Sequence, residues 1–101
     1  MTKWLGKWKA TQQLYSLPRE EMTKISLSLH ELVKADMGAG VAKDWGAYAA
    51  AGEGYMIFEG SETQVYEAVL KYTPYISFEV VPIISLGQSN EVIKKQAAEA
   101  R

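Results

Sequence analysis

The chain has 101 residues, with 11 Lys and Arg against 12 Asp and Glu, one His and no Cys. That length makes one domain, residues 1–101, and 48% hydrophobic with 23% charged residues is ordinary for a globular protein. A net charge of −1 excludes nucleic acid as the main partner, and the missing cysteines exclude disulfides, thiolate zinc sites and cysteine nucleophiles. A single imidazole excludes any metal site that needs two within one chain. Lys3 and Lys7 interrupt the apolar start, so no signal-peptide core forms. The longest uncharged run, residues 80–90, contains Pro82 and Gly87 and is too short to span a bilayer. The expected location is cytoplasmic, with no membrane partner.

Residues 3–10 alternate strictly, with Trp4, Gly6 and Trp8 on one face and Lys3, Leu5, Lys7 and Lys9 on the other. Aromatics at period two predict a strand. A polar stretch follows, then Pro18 with Glu20 and Glu21 at the positive end of a helix. Met22, Ile25, Leu29, Leu32 and Val33 make one apolar stripe, which Gly38-Ala39-Gly40 ends. Residues 41–50 read as a second strand, residues 51–54 as a turn, and residues 55–59 as a third strand completing a hairpin. Ser61 with Gln64 forms a capping box for a helix carrying Val65, Ala68, Val69 and Tyr72, which Pro74 stops. Residues 75–84 read as a fourth strand. Residues 89–100 read as a polar last helix whose apolar stripe is Val92, Ile93 and Ala97.

The order is therefore β-α-β-β-α-β-α: an α+β, ferredoxin-like βαββαβ sandwich with an extra C-terminal helix and a four-stranded antiparallel sheet. Two helices cover one face of such a sheet. The third and fourth strands carry apolar residues on both sides, with Tyr55 and Ile57 backing Met56 and Phe58. The last helix is too polar to cover a whole face. The expected cover is the same sheet of a second subunit, in a homodimer or higher homo-oligomer.

Four segments carry a resemblance over nearly the whole chain: residues 3–9 (KWLGKWK), 41–46 (VAKDWG), 54–60 (GYMIFEG) and 75–82 (YISFEVVP). They resemble a family of small bacterial and archaeal proteins of unknown function, itself similar to the dimeric α+β barrel superfamily. These are strand and turn signatures, so the resemblance implies a fold more than an activity. The superfamily includes muconolactone isomerase, cofactor-free monooxygenases of polyketide quinones, haem-degrading monooxygenases and stress proteins without clear chemistry, and fold does not choose among them. The late haem-ligand histidine of the haem-degrading members has no counterpart in the last helix, which disfavours haem. No cofactor is expected.

Charged residues inside apolar strands are the weak catalytic candidates. Lys7 lies in the first strand, with Glu59 and Glu79 in the two strands expected to flank it. A lysine between carboxylates can hold one ionised as a base or bind an anion; equally, the three form structural ion pairs or reach to water. Trp8, Trp45, Tyr48, Tyr55 and Tyr72 are the ligand-binding candidates, walls for a planar molecule such as a quinone or phenol. The bland reading gives them to core and interface. His30 falls about 110° from the centre of the first helix's stripe, hence at its boundary or on the surface. Acidic residues show no metal-ligand spacing, and the glycine runs lack the phosphate-loop lysine. The expected function is a dimeric protein binding a small aromatic or acidic molecule in a cleft between helices and sheet. The alternatives are a cofactor-independent isomerase or monooxygenase, and an assembly module without a ligand.

Overall fold

A computed structural model describes residues 1–99. Its elements are β1 (Lys3–Ala10), α1 (Gln12–Tyr15), α2 (Arg19–Gly38), β2 (Ala42–Ala47), β3 (Glu53–Glu59), α3 (Glu62–Leu70), β4 (Ile76–Ile83) and α4 (Leu86–Glu99). The sheet is antiparallel throughout, in the order β2-β3-β1-β4, so β1 is central and flanked by β3 and β4, as the βαββαβ order leads one to expect. This is a ferredoxin-like α+β fold.

Pleating decides which residues meet the helices. Gly54, Met56 and Phe58 of β3 turn inward, and Met56 and Phe58 are fully buried. Against them pack Leu29 and Val33 of α2, Val65 and Ala68 of α3, and Tyr72 just beyond α3. The stripe of α2 continues from Leu29 and Val33 to Asp36, a carboxylate only 2% exposed. Two neighbours satisfy it: the Tyr72 hydroxyl donates to it at 2.8 Å and the Lys71 ammonium pairs with it. Burial, and then this bond to Asp36, push the Tyr72 hydroxyl far above the ordinary tyrosine pKa of 10.0.

Ser61 and Gln64 form the expected capping box at the start of α3. β3 starts two residues early, at Glu53, α3 ends at Leu70, short of Tyr72, and three larger differences from the sequence reading have local causes. The stretch after β1 contains a one-turn helix, α1, held by the burial of Leu14. β2 ends at Ala47, because the Tyr48 amide donates to the Glu53 carbonyl and Ala51 and Gly52, both at positive φ, reverse the chain. α4 begins at Leu86: Ser85 and Gln88 cap each other's backbone amides reciprocally, a second capping box that Gly87 obscures in the sequence. Ala100, the expected last residue of this helix, lies outside the described residues.

The outer face of the sheet is divided rather than uniformly apolar. Leu5, Ile57 and Val81 form one apolar row with Asp44 at its β2 edge, and the row beyond it, where β4 finishes, is Glu59, Lys3 and Ile83; towards the other end stand Lys7, Lys9, Glu53, Glu79 and Ser77. α4 leaves from the apolar end and buries none of its residues. The extents are 64 × 27 × 19 Å and the radius of gyration is 17.0 Å. A compact domain of this length has a radius near 13 Å, so α4 stands off the body as an arm.

Candidate functional site

The inner face of the sheet ends in a cavity of about 370 Å³ beneath α2 between Met22 and Val33. Trp8, Ala10, Ile76 and Phe78 form its floor, at the end of the sheet where β1 finishes and β4 starts. Met22 and Leu29 line it from α2, with His30 beside them, and Leu14 and Tyr15 close one end from α1. The walls are overwhelmingly apolar. Polar groups come from Tyr15, Thr23, Ser26 and His30, and the Thr23 hydroxyl is already committed to the Arg19 carbonyl at 3.0 Å.

The aromatic wall is held by small residues. The Trp8 indole lies over Gly54, where any Cβ would fall on the ring and on the Gly46 carbonyl. Its N–H donates to that same carbonyl at 3.1 Å, tying β1 to β2 across β3. Trp45 stacks on Trp8 with ring centroids 5.5 Å apart and planes 7° from parallel. His30 meets Trp45 edge-on, at 5.5 Å and 72°. The ring of Tyr72 lines the cavity while its hydroxyl is fixed by Asp36. An indole N–H and a phenol are thereby spent on the protein, leaving flat apolar surfaces toward the cavity.

The sequence candidates separate accordingly. Trp8, Trp45 and Tyr72 come together at the cavity. Tyr48 is exposed in the β2–β3 turn, and Tyr55 lies on the outer face over Gly46, its hydroxyl donating to Asp44 at 2.8 Å. That bond, with smaller effects of desolvation and the Asp44 charge, raises the Tyr55 hydroxyl pKa. Lys7 and Glu79 are direct cross-strand neighbours on the outer face, whereas Glu59 stands opposite Lys3, four residues along β1 and about 13 Å away. The three charges do not converge, and none lines the cavity. Among the described residues no three His, Asp or Glu side chains gather as a metal site, and no helix is long and apolar enough to cross a membrane.

One residue of the sequence reading, His30, gains a place at the site, and one, Asp36, escapes that reading. His30 is solvent-exposed, as its helical angle indicates, yet the α2–sheet gap makes that boundary position the cavity's rim. Asp36 carries a signal that periodicity alone offers: it stands three residues beyond Val33, on the stripe where a lone carboxylate needs partners.

The chain belongs to the family described as a domain of unknown function, DUF3303, whose model matches residues 3–97. The match runs from β1 into the last turns of α4, so cavity and arm both lie within the family's domain. No curated protein matches the chain.

Proposed function

We propose that this protein binds a small, planar, largely apolar molecule in the cavity between α2 and the sheet, and works as a homodimer. The observation that carries the reading is the cavity: about 370 Å³, walled by Trp8, Trp45, Phe78 and Tyr72, with few polar groups, most of them from α2. Ligand sites are apolar clefts of this size with a small number of polar groups that fix orientation. An aromatic ring system with one hydroxyl, carbonyl or carboxylate suits it, its ring against the indoles and its polar group toward Ser26 and His30. Binding is favoured over catalysis by Lys7, Glu59 or Glu79, because those three face away from the cavity. The homodimer reading rests on Leu5, Ile57, Val81 and Ile83, an apolar patch on the outer face bordered by Lys3, Glu59 and Asp44.

Isothermal calorimetry with 2-naphthol as the probe tests the ligand reading. The wild-type chain is expected to bind it saturably at one site per chain. Met22→Trp, which fills the cavity from α2, is expected to weaken binding at least tenfold while the far-ultraviolet circular dichroism is unchanged. Equal binding by the two proteins, or no saturable heat from the wild type, would overturn it.

A further inference from the structure

The accessible surface is 7137 Å². A compact monomer of 11.2 kDa exposes about 5,700 Å², so the chain carries a surplus of about 1,400 Å². A standard protein interface removes about 800 Å² from each partner. The surplus therefore exceeds what one stable dimer contact needs.

Much of the apolar part of this surface gathers around the end of the sheet from which α4 leaves, beside the Lys3–Glu59 pair of positions. On the sheet it consists of Leu5, Ile57, Val81 and Ile83. It passes through Ile84, 64% exposed, and Leu86, 87% exposed, at the root of α4. Along α4 the same side carries Leu86, Ile93 and Ala97, at successive steps of seven and four, with Asn90 between the first two and Val92 at the flank. The opposite side of the helix carries Glu91, Lys95 and Glu99 at steps of four, a solvated face. A helix of 14 residues is marginal in water without packing, yet this one is well capped, amphipathic and uncovered. With a net charge of −1, two copies meet little electrostatic resistance.

We infer that α4 is an exchange arm: in the homodimer each copy lays the Leu86–Ile93–Ala97 stripe across the Leu5–Ile57–Val81–Ile83 patch of the other. This rests on the homodimer proposed above and names the element that holds it. The occupant is a second copy of this chain, because arm and patch are both on the same molecule and leave from the same end of its sheet. A two-fold axis then forms the contact twice.

The absence of cysteine makes the test clean. The full-length Val81→Cys/Ile93→Cys double variant, oxidised at micromolar concentration, is expected to run as a covalent dimer on a non-reducing gel. Each single variant, and the Lys9→Cys/Ile93→Cys control at the polar end of the face, is expected to remain mostly uncrosslinked. An intramolecular disulfide, read as an oxidised monomer two mass units lighter than its reduced form, would show the arm folding back on its own sheet and overturn the exchange. Sedimentation velocity of the unmodified chain separates the two ideas. A wild-type dimer without the 81–93 bridge defeats the arm alone, whereas a wild-type monomer defeats the dimer and the arm together. As a second measurement, Ile93→Asp is expected to weaken self-association at least tenfold with helical content retained; unchanged association would overturn the inference.

Discussion

At the scale of single residues, the decisive pairings join a large side chain to a small or complementary one. Trp8 sits flat on β3 because position 54 is glycine, and Tyr55 does the same on the other face over Gly46. Alternation in β1 puts Trp8 on one face with Trp4 and Gly6, but that this face is inward, and the space that receives the ring, are decided by β2 and β3, some 40 residues away. Asp36 shows the same dependence: its place on the α2 stripe is legible, its partners Lys71 and Tyr72 are not. Tyr72→Phe leaves the buried carboxylate with Lys71 alone and is expected to cost about 2 kcal/mol in urea denaturation at pH 8, in line with hydrogen bonds to charged groups. The pH dependence follows from the raised hydroxyl. An unfolded tyrosine ionises near pH 10 while folded Tyr72 holds its proton, so its contribution is complete below pH 10 and declines as pH rises above it. The stability gap between wild type and Tyr72→Phe is therefore expected to narrow between pH 9 and pH 11. A gap that stays constant over that range would exclude this coupling.

At the scale of elements, α2, α3 and the four strands were predictable because each has its own periodicity and stop signal. α1 and the start of α4 were not. A four-residue helix has no periodicity to detect, and only the burial of Leu14 makes it form. At α4 the glycine two residues into the helix reads as a breaker, yet the reciprocal Ser85–Gln88 bonds offset its cost. The β2–β3 turn holds one local conflict: Ala51 has φ of 71°, in the left-handed region that glycine occupies without strain. Ala51→Gly is expected to stabilise the protein by about 1 kcal/mol after allowance for the looser unfolded chain, seen as a higher urea midpoint at unchanged slope. A lower midpoint would mean that the Ala51 methyl, which lines the cavity, contributes more by packing than its backbone loses by strain.

At the scale of the whole molecule, the shape carries the prediction. A radius of gyration of 17.0 Å belongs to a body with an arm. Association that covers the arm links folding to concentration by mass action. The thermal midpoint is expected to rise by several degrees between 1 and 100 μM chain, measured by circular dichroism. A midpoint independent of concentration would indicate a chain that folds and stays alone.

Composition and periodicity were enough to determine the α+β class, the order of the elements other than α1 and the residues of β1 that share a face, and from that order the βαββαβ topology gave β1 its central place. These depend on interactions between near neighbours, so they are written in short stretches of chain. Which aromatics converge was decided by the tertiary structure. Trp8, Trp45 and Tyr72 reach one cavity and Tyr48 and Tyr55 do not, because strand register and the glycines at 46 and 54 set where each ring can lie. The separation of Lys7 from Glu59 follows from register too, since pairing Lys3 with Glu59 places Lys7 against Tyr55 and Glu79. The gap beneath α2 that turns His30 into a rim residue, and the surface left open along α4, are properties of packing between distant segments. No local pattern encodes them.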